Sequence, residues 1–228
     1  MSLVDKNQTT LGRMGCEMPT WQRRGRMYSR LCKSGLLLLA TVSFGQNPGK
    51  SEDTGERAVQ EFRNNDWPAA ERDFREVVKR DPSNVFANMY LGQTLFRQEK
   101  YPEAAMYFQK TRDLQKSGKQ LNTTQDRILT DQLVMSYGIT GEMRKAHALL
   151  DEAIGKDPEY PLNYYNRACA FAEEGDKPKA LANLDQAFQR KANVLKGEQM
   201  PDPRADSSFQ KYVRDPDFVS LMKKLGVQ

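Results

Sequence analysis

The sequence predicts an all-α fold, a solenoid of four helix-turn-helix repeats followed by C-terminal capping helices. The main observation is an alanine that returns at a fixed interval. Ala70 and Ala104 are 34 residues apart, and so are Ala146 and Ala180, while the middle gap is longer by eight residues. The composition agrees, with 29% charged residues and a mean hydropathy of −0.78. A period of this length is typical of stacked helical hairpins, which bury their apolar faces against one another.

Residues 1–45 predict a leader that directs export. Most of its basic residues precede a ten-residue apolar run at 35–44, and small residues follow near Gly45. This order is typical of a cleaved signal peptide, and the run is shorter than the ~20 residues that span a bilayer. We expect cleavage near Gly45 and a periplasmic or secreted protein that meets the membrane only through this signal. Met27 is a possible true start; the alternative is a disordered basic leader with an apolar patch.

The positive charge of the chain is confined to this leader. Residues 1–45 hold seven of the 35 basic residues and two of the 30 acidic ones, which leaves residues 46–228 neutral with 28 of each. Binding to nucleic acid requires clustered positive charge, so no nucleic-acid partner is expected.

The repeats follow a polar linker at 46–55. In each repeat a small residue at position 8 and the alanine at position 20 let two helices approach closely, and a bulky residue stands at position 24. The repeats span 51–84, 85–118, 127–160 and 161–194.

These positions resemble the tetratricopeptide repeat, a 34-residue helical hairpin, over residues 51–194. The resemblance implies a right-handed superhelix that binds other proteins. Three residues depart from the family pattern: Glu61 stands at an aromatic position, and Lys116 and Ala192 replace proline.

Two segments lie outside the repeats. Residues 119–126 are polar and predict a longer loop, with Thr124 or Asp126 capping the next helix. Residues 195–228 predict a loop and a capping helix that begins at Asp215 and presents one apolar stripe. This end is similar to the end-of-array segment of some exported bacterial tetratricopeptide proteins.

The sequence offers no catalytic or metal-binding set, so neither an enzyme nor a cofactor or metal is expected. The single histidine, His147, is interpreted as a solvated surface residue. Cys169 is interpreted as a packing residue, because Cys16 and Cys32 would leave with the leader and provide no disulfide partner.

The resemblance implies that the first helix of each repeat lines a concave groove. An apolar groove with polar anchors suits a partner peptide or an amphipathic helix. Two alternatives stay open. Neighbouring helices or the C-terminal segment cover the groove, or the chain is an oligomerisation module or an accessory subunit of an envelope complex. The predicted groove residues are Phe62, Arg63, Phe86, Met89, Gln93, Phe96, Arg97, Asp131, Met135 and Tyr165.

Overall fold

The computed structural model describes residues 51–118 and 121–227, and every regular element in these ranges is helical. The all-α solenoid prediction is confirmed for this part of the chain. The α-helices are α1 (Ser51–Arg63), α2 (Trp67–Arg80), α3 (Val85–Arg97), α4 (Tyr101–Ser117), α5 (Thr123–Thr140), α6 (Met143–Lys156), α7 (Pro161–Glu174), α8 (Lys177–Gln189) and α9 (Pro216–Leu225). Two short 3₁₀ helices, Lys191–Asn193 and Ser207–Tyr212, lie between α8 and α9.

The helices form two layers. Each odd-numbered helix from α1 to α7 packs against the helix that follows it, which gives four hairpins, numbered here one to four from the N-terminus. The first helices α1, α3, α5 and α7 also contact one another across successive hairpins. In the described residues the second helices make no comparable contact with each other. The first helices are therefore the inner layer of a curved array, and the second helices are the outer layer.

Small residues hold the two helices of each hairpin together. The four alanines of the 34-residue pattern are at most 1% exposed. Gly92 on α3 faces the ring of Phe108 on α4, and a Cβ atom at Gly92 would lie 2.7 Å from that ring. Only glycine permits this approach, because real Cβ atoms do not come so close to another carbon.

The turn inside each hairpin uses a left-handed residue at the same position of the repeat. Asn65, Glu99, Gly141 and Gly175 have φ angles of 60°, 62°, 81° and 86°. Two of these four positions lack the glycine that this conformation favours. A left-handed residue ends the first helix and lets the second return antiparallel to it.

The predicted loop at 119–126 is helical at residues 123–126, where α5 begins. Helix α4 continues to Ser117 and α5 begins at Thr123, so the extra residues lengthen both helices. Asn122, and neither Thr124 nor Asp126, caps α5, in a reciprocal capping box with Gln125. The two oxygen-to-nitrogen distances of this box are both 2.9 Å. The capping box satisfies two backbone donors, and helix α5 therefore begins earlier in the chain than predicted.

The hydrophobic core divides between hairpins three and four. One cluster extends from Ala58 in α1 to Leu150 in α6, and a second begins at Tyr164 and continues into α9. We call the boundary between α5–α6 and α7–α8 the joint. At the insertion, where the sequence predicted a longer loop, α4 and α5 share the first cluster.

The C-terminal residues close the second cluster. Asp215 caps α9, and its carboxylate accepts from the backbone nitrogens of Asp217 and Phe218 at 3.0 and 3.3 Å. Phe218 is 1% exposed and stacks on Phe209 at 6.1 Å between ring centroids. Helix α9 packs on α8, and the second 3₁₀ helix packs on α7. These segments cover the open apolar face of the last hairpin, as a terminal cap of a solenoid must.

Candidate partner-binding groove

The inner layer exposes only some of the predicted groove side chains. Arg63 is exposed, and Phe62, Phe86, Gln93, Arg97, Asp131 and Met135 are partly exposed. Met89, Phe96 and Tyr165 are 5%, 1% and 3% exposed. An accessible side chain was predicted at these three positions, and the structure buries them. Burial of these apolar side chains between packed helices stabilises the folded state more than their exposure in a groove would.

A cluster of aromatic rings lies at the end of the groove formed by hairpins one and two. The ring of Phe62 on α1 is edge-on to Trp67 and to Tyr90, each at 5.2 Å between centroids. Tyr90 on α3 stacks on Phe74 at 5.5 Å. Edge-on and offset geometries of this kind stabilise each aromatic pair by about 1 kcal/mol. Phe62, Trp67 and Tyr90 keep part of their surface exposed.

Two arginines flank this aromatic cluster. The guanidinium carbon of Arg97 lies 6.0 Å from the centroid of Trp67. The positive charge of Arg63 opposes the rise that burial causes in the pKa of Tyr90. Within residues 51–118 and 121–227 neither arginine forms an ion pair with a carboxylate. By contrast, Arg75 on the outer helix α2 pairs with Glu71 and Glu103 at 2.8 and 2.5 Å. Arg63 and Arg97 occupy equivalent positions of successive hairpins, 34 residues apart. We call them the arginine pair.

Trp67 and Tyr90 belong to this surface although the sequence did not predict them as binding residues. Trp67 begins α2, and its ring turns back toward the end of α1. The sequence signal for Trp67 was an aromatic residue at a hairpin turn, a position that polar residues usually occupy.

A small cavity lies at the joint, between the first and second helices of hairpin three and the first helix of hairpin four. Its volume is about 50 Å³. Its walls are mainly apolar, and they include Met135 and Ile139 of α5 and Ala170 of α7. A water-sized sphere occupies roughly 10–15 Å³ on this measure, so the cavity holds about four atoms of that size. We call it the joint pocket. The full lining is Val134, Met135, Gly138, Ile139, Met143, Ala146, Asn166, Cys169, Ala170 and Glu173.

A carboxylate lies beside the joint pocket. Asp131 on α5 accepts a hydrogen bond from the side-chain amide of Asn166 on α7, which lines the pocket. Burial raises the pKa of Asp131 to about 6, the charge of Glu198 adds to the rise, and the Asn166 amide opposes it. Burial acts in this direction because the ionised carboxylate is poorly solvated there.

The C-terminal segment, residues 194–212, covers the surface next to the pocket. The hydroxyl of Tyr165 on α7 donates to Asp206 at 2.9 Å, and Asp206 is 2% exposed. The ring of Phe209 is edge-on to Tyr165 at 6.0 Å. Glu198 accepts from the hydroxyl of Tyr160 at 3.0 Å. Buried hydrogen bonds of this kind hold the segment in place, so the groove is closed at hairpin four.

Cys169 packs inside hairpin four, and His147 of hairpin three contacts the first helix of hairpin four. Cys169 is 7% exposed, and burial beside Asp206 raises the pKa of its thiol. This agrees with a packing role. His147, interpreted as a solvated surface residue, is partly exposed, with 22% of its side-chain surface accessible. Its Nε2 lies 2.9 Å from Glu174, and its ring centroid lies 4.6 Å from that of Phe171.

The described residues contain no group of three or more histidine, cysteine, aspartate or glutamate side chains that could hold a metal ion. A search of the same residues for a helix long and apolar enough to cross a membrane found none. The predicted leader lies outside the described residues.

One curated protein similar to this chain is the "Cellulose synthase 1 operon protein C" of Komagataeibacter xylinus. It is 30% identical over 134 residues, which are 56% of this chain and 10% of that protein. The chain thus spans about a tenth of the length of this relative.

Solved structures share the fold. A crystal structure of the MamA protein superposes with a TM-score of 0.59 and 19% identity, over 77% of this chain and 89% of that one. The crystal structure of YrrB, described as "a TPR protein with an unusual peptide-binding site", superposes with a TM-score of 0.56 and 14% identity. That likeness covers 78% of this chain and 86% of YrrB.

The family model of the tetratricopeptide repeat matches residues 56–118, which include most of hairpins one and two. The helical pairs that follow repeat the same layers and the same buried alanines. Residues 56–118 therefore match the tetratricopeptide repeat, and the described chain shares the solenoid fold of solved structures such as YrrB.

Proposed function

We propose that this chain is a protein-interaction scaffold and that it binds a segment of a partner protein in the groove formed by α1, α3 and α5. The observation that carries the proposal is the contrast between the two ends of the inner layer. The chain's own C-terminal segment fills the groove at hairpin four through Tyr165 and Asp206. At hairpins one and two the aromatic cluster and the arginine pair keep exposed surface.

The groove at hairpin four supports this proposal, because a segment of the chain itself binds to the first-helix surface there. Residues 194–212 are a non-repeat segment whose acidic and aromatic side chains dock on first-helix residues. A partner segment of the same kind needs a concave apolar surface with a few polar anchors. The joint pocket and the aromatic cluster supply the apolar part. Catalysis is not part of the proposal.

Site-specific photo-crosslinking tests the groove. A photoreactive amino acid replaces Gln93, which lies on the inner helix α3 and is partly exposed. The control places the same group at Arg144, an exposed position on the outer helix α6. We expect partner adducts from an extract of the source cells at position 93 and few at position 144. Equal adducts at both positions would contradict groove binding.

A further part of the proposal concerns the location of the protein. We propose export to the bacterial envelope after cleavage near Gly45, and N-terminal sequencing of the mature protein tests it. An intact Met1 in that protein rules out cleavage.

A second candidate function is that of an accessory subunit in an envelope complex. This candidate includes self-association of the chain as a homo-oligomer. The name of the curated relative supports it, because that name assigns the relative to a cellulose synthase operon. Co-purification distinguishes the candidates. A stable multi-subunit complex that forms without the α1–α3 surface favours the accessory subunit, and light scattering of the purified chain reports self-association.

A further inference from the structure

We propose that hairpins one and two bind an extended acidic segment of a partner protein, with two of its carboxylate side chains on the arginine pair. This inference rests on the proposed function and names the chemistry of the partner. It is carried by two positive charges that share one aromatic surface and form no ion pair among residues 51–118 and 121–227.

The aromatic cluster places both arginines on one surface. The guanidinium of Arg97, on hairpin two, lies over the ring of Trp67, on hairpin one. Arg63, on hairpin one, is close enough to Tyr90 of hairpin two for its charge to oppose the raised pKa of that hydroxyl. Phe62 joins the two hairpins through its edge-on contact with Tyr90. Each arginine therefore lies beside an aromatic ring of the other hairpin, and the two charges act on the same ligand.

The carboxylates nearest to Arg63 along the chain are bound elsewhere. Glu61 pairs with Arg72 at 3.4 Å, and Asp66 caps α2 by accepting from the backbone nitrogen of Ala69 at 3.3 Å. In the part of the chain that the structure describes, no carboxylate oxygen lies within 4.0 Å of either guanidinium of the arginine pair. Two like charges on one surface repel each other, so binding of a carboxylate there is favoured by charge complementarity.

The arginine side chains are oriented to receive a carboxylate. A guanidinium donates two parallel hydrogen bonds to a carboxylate, and this geometry is specific to arginine. The stacking of Arg97 on Trp67 uses the face of the guanidinium and leaves its edge to donate. Tryptophan, tyrosine and arginine also contribute most of the binding energy in protein interfaces. The residues of the partner between its two carboxylates are expected to pack on the exposed parts of Phe62 and Tyr90.

The N-terminal segment of the chain itself lacks the charge to occupy this surface. Residues 1–45 hold seven basic and two acidic residues, so the arginine pair repels them. Residues 46–228 hold 28 residues of each sign, so the attraction for an acidic segment is local to this surface and not a property of the whole domain. The occupant that the charges favour is therefore a segment of another protein.

The spacing of the two arginines predicts the spacing of the two acidic residues. Arg63 and Arg97 occupy equivalent positions on α1 and α3, which contact each other, and neighbouring helices are about 8–10 Å apart. An extended segment of the polyproline II type presents the same face every three residues, over about 9 Å. The chain's own segment at residues 194–206, next to hairpin four, is likewise without helix. We therefore expect two acidic residues separated by two others.

Selection from a displayed library of random twelve-residue peptides tests this inference on the full-length chain. The expected sequences carry Asp or Glu at two positions separated by two residues, with apolar residues between or beside them. Selection on the Arg63→Glu/Arg97→Glu double variant should replace both acidic residues by Lys or Arg. A peptide enriched on the unchanged chain should bind this variant at least roughly tenfold more weakly in fluorescence anisotropy, because hydrogen bonds to two charged groups are lost.

Arg144→Glu is the matched control, since it makes the same charge change at an exposed position of the outer helix α6. It should select the same sequences as the unchanged chain. Circular dichroism checks that each variant is folded. If the double variant does not fold, Arg63→Glu alone provides the test, because Arg63 is exposed.

The outcomes separate this inference from the proposed function. A library that yields no enriched peptide overturns the proposed function itself. Enriched peptides without the paired acidic residues, or acidic peptides that bind the reversed variant equally well, overturn this inference and leave the groove proposal standing.

Discussion

At the scale of single residues, the hairpin turns show how one backbone requirement is met by different side chains. The four turn positions share a left-handed φ, but two of them carry Asn65 and Glu99 instead of glycine. Asparagine tolerates this region because its short polar side chain bonds locally, whereas glutamate does not. Glu99 is therefore the strained member of the set.

Replacing Glu99 by glycine should stabilise the protein. The change removes the cost of a left-handed side-chain residue, about 1–2 kcal/mol. The greater conformational freedom of glycine in the unfolded chain offsets part of this stabilisation. The net increase in the free energy of unfolding is about 0.5–1 kcal/mol. Urea unfolding measures the difference. The matched control is Gly141→Ala, where the added Cβ meets no atom within 4 Å and φ is +81°. It should destabilise by about 1 kcal/mol; a loss of stability in Glu99→Gly would contradict the strain argument.

At the scale of helices, the repeat period carried enough information to predict the hairpins but not their ends. The alanines and the bulky residues recur because every hairpin solves the same packing problem, so a single sequence reveals them. The start of α5 depends instead on the Asn122–Gln125 capping box. The spacing of Asn122 and Gln125 was a readable signal for this box, and the loop prediction did not use it.

The departure at Glu61 also has a local explanation in the structure. Glu61 pairs with Arg72 at 3.4 Å, and Arg72 and Arg57 both pair with the buried Asp73. Leu91 occupies in hairpin two the repeat position that Arg57 has in hairpin one, and it is fully buried. A charged network therefore replaces apolar packing on this side of the first hairpin. The tetratricopeptide pattern marks Glu61 as an exception but does not show its partners.

The divided core predicts two units of local stability. We expect Leu184→Ala, in the second cluster, to reduce hydrogen-exchange protection mainly in α7, α8 and α9, by about 2–4 kcal/mol. Leu95→Ala, in the first cluster, is the matched control, because both side chains are fully buried. Its effect should be confined mainly to α1–α6. Equal loss of protection in every helix after either change would show a single cooperative unit.

At the scale of the whole molecule, the closure of the groove at hairpin four could not be predicted from the sequence. The alternative that the C-terminal segment covers the inner layer was open, but it rests on contacts such as Tyr165 with Asp206, 41 residues apart. No short-range pattern encodes such a contact. The same contacts bury Tyr165, one of the predicted groove residues. The open end, by contrast, retained Arg63 and Arg97 as the repeat positions indicated.

Asp131 gives the whole fold a pH dependence of predictable sign. Its pKa is raised to about 6 in the folded protein from an ordinary value of 3.8, so the folded state binds a proton more tightly than the unfolded state. The resulting contribution to stability is fully present below pH 4 and is lost as the pH rises through 6. Above pH 6 the ionised carboxylate costs at most roughly 2–3 kcal/mol, because one pKa unit corresponds to about 1.4 kcal/mol. Solvent at its partly exposed side chain lowers this cost. Asp131→Asn should therefore raise the free energy of unfolding at pH 7.5 and leave it nearly unchanged at pH 4.

Urea unfolding from pH 4 to pH 8 measures this effect directly. The difference between the Asp131→Asn variant and the unchanged chain should grow over that range, since the amide cannot ionise. Asp217→Asn serves as the control, because Asp217 is exposed on α9 and its partner Lys177 is retained by Asp215. The control should not reproduce the rise. A stability difference for Asp131→Asn that is constant with pH would show that Asp131 is not titrating in this range.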